Sequence, residues 1–142
     1  MQKIFFLTVL LFSGGMVTAQ QINVMTFNIR LNVASDKENA WPNRKERVAA
    51  QIRFHDADIV GIQEAKPEQM KDLEKMLPEY KFIGVARDTG EWGEYSAIFY
   101  KTKYIELIKS NTFWLSETPS VPGKKGWDAA LPRIVTWGEF KM

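Results

Sequence analysis

The chain has no cysteine and a single histidine, His55, among its 142 residues, and these two scarcities remove whole classes of chemistry. Without thiols there is no disulfide framework, no thiolate nucleophile, no cysteine-ligated zinc and no iron–sulfur cluster. One imidazole cannot furnish a site that needs two. A metal bound by this chain must sit on oxygen ligands. An excess of charge of one sign is also lacking: 19 Lys and Arg against 17 Asp and Glu leave +2, too balanced a field to argue for a polyanionic partner. The longest apolar run, Ile4 to Phe12, has nine residues, well short of the roughly 20 that cross a bilayer. What the chain does have is 45% hydrophobic and 13% aromatic residues with 25% charged ones, a balance that suits one globular domain rather than a disordered tract.

The apolar run reads as an address. Met1-Gln2-Lys3 is a short positive start, Ile4 to Phe12 is the apolar segment, and Ser13-Gly14-Gly15 leads to small residues at Val17 and Ala19, the three-part pattern of a secretory signal over residues 1–19. The expected product is an exported chain, periplasmic or secreted, running from residue 20 to 142. No cysteine follows the run, so lipidation of a new N-terminal cysteine is excluded.

Beyond residue 20 the pattern predicts alternating strands and helices, then strands. Ile22 to Arg30 (INVMTFNIR) alternates Val24, Thr26, Asn28 and Arg30 against Met25, Phe27 and Ile29, and apolar residues on both faces suggest a central strand. Pro42 suits the first turn of a helix running to about His55 with Val48, Ala49 and Ile52 on one stripe. Asp58 to Glu64 (DIVGIQE) is a short apolar strand ending in a carboxylate. Pro67 opens a second helix whose Met70, Leu73 and Leu77 share a face before Pro78 stops it. Further strands are expected over 80–86, 95–100, 105–115 and 133–140, giving a mixed sheet with helices on one side. The long loops 31–42 and 116–129 are where function is expected to collect.

Four spots resist explanation by packing alone. Asn28 lies in an apolar strand, where a buried amide needs partners, and Glu64 ends the next strand, where burial would need a cation or hydrogen bonds. If the two strands are parallel neighbours, both side chains reach the carboxyl edge of the sheet, where α/β folds place ligands. Taken singly, each has a plainer reading: a strand-end amide bonded to a loop, and a solvated carboxylate before a helix. The third spot is Gly93-Glu94-Tyr95-Ser96-Ala97, readable as a site or as an edge strand. The fourth, Gly126 to Arg133, carries Trp127, Asp128 and Arg133, the last a possible phosphate ligand or carboxylate partner. Trp114 and Trp137 are expected in the core. His55 closes a helix, where it complements the dipole.

Met25-Thr26-Phe27-Asn28-Ile29-Arg30 followed by Asp58-Ile59-Val60-Gly61-Ile62-Gln63-Glu64 resembles the opening of the endonuclease/exonuclease/phosphatase superfamily. Gly93 to Lys101 (GEYSAIFYK), Thr112 to Pro119 (TFWLSETP) and Gly126 to Trp137 (GWDAALPRIVTW) resemble the following segments of its bacterial secreted branch. The resemblance implies a metal-dependent hydrolase of phosphodiesters or phosphomonoesters. In it Glu64 binds a divalent metal, Mg²⁺ or Mn²⁺, and Asn28 orients the phosphate and the nucleophile. Arg133 is inferred as a second cationic contact to the phosphate, with Arg30, Glu94, Trp127 and Asp128 as substrate-binding residues. The substrate class, from nucleic acid to phosphoinositide, sphingolipid or sugar phosphate, stays open.

In that family a histidine-bearing strand, an Asp-x-Asn segment and a closing Asp-His pair come after a strand such as 135–140. This sequence has none of the three. The expectation is therefore the N-terminal half of a four-layer α/β sandwich, with an apolar sheet face and an open edge awaiting the other half. Alone, such a half is expected to be inactive. A second reading, from another class, is a non-catalytic exported binding module in which Trp92 and Trp127 form a sugar- or peptide-binding surface.

Overall fold

The computed structural model describes residues 21–89 and 92–142; the expected signal segment, 1–19, lies outside them. In chain order the elements are β1 (Val24–Asn28), a 3₁₀ segment (Ala34–Asn39), α1 (Trp41–Phe54), β2 (Ile59–Ala65), α2 (Pro67–Met76), β3 (Tyr80–Ile83), β4 (Tyr95–Lys101), β5 (Glu106–Trp114) and β6 (Ile134–Lys141). The expected β-α-β-α opening is present. Pro42 and Pro67 stand in the first turns of α1 and α2, where the missing N–H costs nothing.

Four strands form a mixed sheet in the order β1-β2-β4-β3, with β1 parallel to β2 and the other pairings antiparallel. One face carries Val60, Ile62, Ala97 and Phe99. Against it pack Val48, Ala49 and Ile52 of α1 and Met70, Leu73 and Leu77 of α2, all buried, so both helical stripes read from the sequence face the core. Full burial of side chains of this size contributes about 1.5–3 kcal/mol each.

Three expectations need correcting. First, β1 is an edge strand, with β2 on one side and no partner on the other among the described residues. Its outward side chains Val24, Thr26 and Asn28 are exposed, and apolar alternation alone does not distinguish an edge from a centre. Secondly, β5 and β6 do not extend the first sheet. β4 has a neighbour on each side, and β5 and β6 pair with each other as a second, two-stranded sheet rather than adding to an edge of the first. That sheet lies across the helix-free face of the first: the rings of Tyr100 and Phe140 meet at 5.1 Å, and a Cβ at Gly138 would fall 2.8 Å from Ile83 Cδ1. The expected apolar sheet face is thus partly covered from within the chain, and the bare part carries Thr26, Asn28 and Gln63 beside Val24. Thirdly, the expected strand over 80–86 breaks at Gly84, whose φ of +121° and close approach to Ser96 O at 3.1 Å leave no room for a side chain.

Trp114 is buried as expected. Trp137 is only half-buried, its ring capped by the Lys109 ammonium at 5.8 Å, a stacking that favours partial exposure.

Candidate functional site

Parallel pairing sets Asn28 opposite Gln63, which brings the carboxyl ends of β1 and β2 together. The ladder between β2 and β4 passes from Gln63↔Ser96 to Ala65↔Tyr95, so Glu64 is the extra residue of a β-bulge. Its φ is +65°, a left-handed backbone that costs a residue other than glycine about 1–3 kcal/mol. The bulge re-aims the Glu64 carboxylate out of the alternation and toward Asn28. There Asn28 Nδ2 donates to Glu64 Oε1 at 2.8 Å, the Leu31 N–H donates to Glu64 Oε2 at 3.3 Å, and the Arg30 N–H donates to Asn28 Oδ1 at 2.9 Å. Each carboxylate oxygen keeps acceptor capacity beyond the one bond it takes.

The turn after β1 that supplies these two amides is itself held. Arg30 has φ +58°, and its carbonyl accepts from Gln69 Nε2 at 3.0 Å and from the Arg44 guanidinium, which also donates to the Ile29 carbonyl. Gln69 is fully buried. Its Oε1 accepts from the Asn32 N–H at 2.8 Å and from the Lys66 N–H at 3.1 Å. One amide thus ties the loop leaving β1 to the start of α2, directly behind Glu64. Burial pushes the Arg44 guanidinium below its ordinary pKa, with Asp36 opposing the shift.

A cleft of about 390 Å³ opens in front of this pair. Asn28, Gln63, Glu64, Arg87, Glu94, Tyr95, Ser96 and Arg133 are among its lining residues. Also lining it, Arg87 and Glu94 form a two-pronged ion pair, Nη1 to Oε2 at 3.1 Å and Nη2 to Oε1 at 2.9 Å. Arg133, at the entry to β6, is exposed and forms none of the ion pairs among the described residues.

Four of the residues singled out from the sequence, Asn28, Glu64, Glu94 and Arg133, therefore share one cleft. Three do not join it. The Arg30 guanidinium turns away to Asp36, with both contacts at 3.1 Å, and its hydrogen bond holds the Asp36 carboxyl below the ordinary range. Trp127 and Asp128 project into solvent. The backbone at Gly126 packs so tightly on the Leu115 carbonyl that a Cβ would lie 2.3 Å from its oxygen, and this fixes the loop with Trp127 outward. Sequence reasoning missed Gln69 and Arg87. A Gln three residues after a helix N-cap is the half of a capping box that accepts from the N-cap N–H, here that of Lys66, and Arg87 and Glu94 are opposite charges either side of the segment 88–93 that joins two strands.

The pattern of the Endonuclease/Exonuclease/phosphatase family matches residues 25–138, a stretch that contains every wall of this cleft. The chain belongs to that family. Among solved structures it is similar to the family's representative from Bacteroides vulgatus, at 49% identity and TM-score 0.79, over 82% of this chain and 45% of that one. A mannosyl-6-phosphatase from Bacteroides thetaiotaomicron is 44% identical with TM-score 0.80, over 85% of this chain and 46% of that one. A protein of unknown function from Enterococcus faecalis is 36% identical with TM-score 0.78, over 83% and 46% respectively. No functionally curated protein matches. The chain thus spans a little under half the length of these relatives, and its α/β architecture is the corresponding part of the DNase I-like fold.

Among the described residues no three carboxylate or imidazole side chains converge, which rules out a closed structural zinc site there. One carboxylate, hydrogen-bonded on both oxygens and facing an open cleft, does fit Mg²⁺, which keeps most of its waters and takes one or two protein carboxylates.

Proposed function

We propose that this protein is an exported, metal-dependent phosphoesterase, with Glu64 as the carboxylate for Mg²⁺ or Mn²⁺ and the cleft in front of it as the phosphate site. The observation that carries this reading is the Asn28–Glu64 pair, held at the carboxyl ends of two parallel strands by a bulge and by two loop amides. A bound divalent cation supplies charge stabilisation for the phosphoryl oxygens and the leaving group. Glu64 would hold it, with both oxygens oriented by Asn28 Nδ2 and the Leu31 N–H. Asn28, its oxygen fixed by the Arg30 N–H, presents a rigid amide at the phosphate's edge. Arg133, which lines the same cleft and forms no ion pair among the described residues, supplies a guanidinium suited to two phosphoryl oxygens. His55 does not serve as general base, because it caps α1 at the other end of the sheet. The proton-accepting group and the remaining phosphate contacts are assigned to the part of the relatives' length that this chain does not span. Export is proposed from the N-terminal sequence pattern. Similarity to the mannosyl-6-phosphatase favours a sugar phosphate as substrate over a nucleic acid, in keeping with the near-balanced charge.

The test is hydrolysis of bis-4-nitrophenyl phosphate and of hexose phosphates by protein expressed from the full reading frame, with Mg²⁺ and with chelator, beside a calorimetric Mg²⁺ titration. Glu64→Ala is expected to abolish cation binding and to lower turnover at least about 1,000-fold, the scale of several kcal/mol of charge stabilisation. Cation binding that survives Glu64→Ala in a folded protein contradicts the assignment. The binding-module reading draws on Trp92 and Trp127, which are 83% and 74% exposed. Saturable glycan binding insensitive to chelator and lost in Trp127→Ala would favour it.

A further inference from the structure

The Arg87–Glu94 pair is not explained by stability. Its side chains are 13% and 20% exposed, and an ion pair so far out of water generally does no more than break even with an apolar pair of the same shape. Nor does it suit a phosphate clamp. Glu94 occupies both prongs of the guanidinium and cancels its charge, whereas Arg133, which lines the same cleft, forms no ion pair among the described residues. The pair is, however, fixed with unusual completeness. The Arg87 N–H donates to the Glu94 carbonyl at 3.0 Å, and Trp114 Nε1 donates to the Arg87 carbonyl at 2.7 Å. Gly93 packs so closely beneath the turn that a Cβ there would lie 2.8 Å from the Asp88 amide.

Hydrogen-bonding capacity remains on both members. Each Nη of Arg87 gives one of its two N–H groups to Glu94 and keeps the other, whereas Nε is closed off from solvent, 3.5 Å from Asp88 Oδ2 and with no hydrogen-bond partner among the described residues. Each Glu94 oxygen takes one bond from Arg87 and can accept another, and Ser96 adds a hydroxyl to the same wall. A rigid, charge-cancelled pair with donors beside acceptors complements neighbouring hydroxyl groups, each of which accepts from the guanidinium and donates to the carboxylate. The volume of the cleft, about 390 Å³, lies at the small end of ligand sites and suits a monosaccharide ring rather than a polymer.

We propose that Arg87 and Glu94 are the specificity element of this cleft, reading adjacent hydroxyls of a hexose whose phosphate lies toward Asn28 and Glu64. This rests on the phosphoesterase reading above and adds the group that selects its substrate. A site built around hydroxyls rejects a ligand that lacks them, because its own polar groups are then left unpaired.

The experiment compares kcat/KM for hexose 1- and 6-phosphates, their single-deoxy analogues and 4-nitrophenyl phosphate, in the full-reading-frame protein and in Glu94→Gln and Arg87→Lys. Glu94→Gln keeps the shape of the side chain, and melting curves verify that each variant is folded. The wild type is expected to lose about 100-fold on removal of one particular ring hydroxyl. In Glu94→Gln the same deletion should cost almost nothing, while the hexose-to-aryl preference falls by a similar factor, the coupling that marks a direct contact. Wild-type hydrolysis of the aryl ester but of no hexose phosphate overturns the proposal, as does an equal loss on every substrate in Glu94→Gln. If the wild type hydrolyses none of them and binds Mg²⁺ independently of Glu64, the phosphoesterase reading itself falls.

Discussion

The two ends of the four-stranded sheet spend charge in opposite ways. At the carboxyl ends of β1 and β2, Glu64 sits on a strained bulge, shares one bond per oxygen and faces a cleft. At the other end Asp58 is buried and closed in by three donors: the Asn23 N–H donates to Oδ2 at 2.8 Å, Lys101 Nζ donates to Oδ1 at 3.2 Å and Tyr104 Oη donates to the same oxygen. Lys101 is closed in turn by Asp56 Oδ1 at 2.5 Å and the Asp56 carbonyl at 3.0 Å. Both ends carry a carboxylate next to a strand. Only one leaves that carboxylate with capacity to spare in an open space, and that difference separates a structural ion network from a candidate site.

Breaking the closed end should move stability without touching cation binding. Lys101→Met removes the ammonium and strands Asp58 as a buried, underpaired charge, with an expected loss of about 3–5 kcal/mol in denaturant unfolding. Mg²⁺ affinity of the still-folded fraction should match wild type by calorimetry. A fall in affinity would show that the two ends are coupled.

Gln69→Met tests the reverse at the open end. It should cost about 1–3 kcal/mol for the backbone groups left unbonded and lower Mg²⁺ affinity about 10-fold, the usual effect of releasing a group that orients a metal ligand. Amide exchange at Arg30 and Leu31 should quicken in parallel. A variant with lower stability and unchanged affinity would reduce Gln69 to a helix cap.

The two ends also differ in acid. Burial alone would raise the Asp58 carboxyl, but the bonds from Asn23, Tyr104 and Lys101 outweigh it and hold the group below the ordinary carboxylate range. A depressed native value means that the unfolded chain binds the proton more readily. Asp58 therefore contributes stability above about pH 4, and the contribution drains away as pH falls through the native value. Denaturant midpoints measured from pH 7 to 3 should fall more steeply in wild type than in Asp58→Asn. At the opposite extreme, burial pushes the Tyr80 hydroxyl up to about 12, which keeps that end neutral at its tyrosine well into alkali.

The smallest effect is expected from Arg30→Ala. Its guanidinium forms an exposed pair with Asp36, so the denaturant midpoint should barely move, with Mg²⁺ affinity unchanged by calorimetry. A large loss of affinity would return the side chain to the site where the sequence pattern had put it.

Much of this was legible in the residues and some was not, for physical reasons. The helix stripes follow from periodicity 3.6, and the meeting of the β1 and β2 carboxyl ends follows from the rule that parallel strands share an edge; that Glu64 turns to Asn28 depends on a bulge that alternation does not report. The motif strings added the family. The edge position of β1 was not legible, because alternation reports two faces and says nothing about neighbours along the sheet. The separate β5–β6 pair is a tertiary fact, since local patterning marks a strand and not the sheet it joins. Trp127 and Asp128 were misplaced because their direction is set by the packing of Gly126 against Leu115, while Gln69, an ordinary helix residue by propensity, becomes a tie only once two loops meet over it.

The most direct test of the contrast is a Mg²⁺ titration of isotopically labelled protein followed residue by residue by NMR. Saturable shifts confined to the Asn28 side-chain amide and the backbone amides of Arg30, Leu31 and Glu64, with Asn23, Lys101 and Tyr104 unmoved and every shift lost in Glu64→Ala, are the predicted result. Shifts centred on the Asp58 end, or shifts that persist in a folded Glu64→Ala protein, would contradict the account.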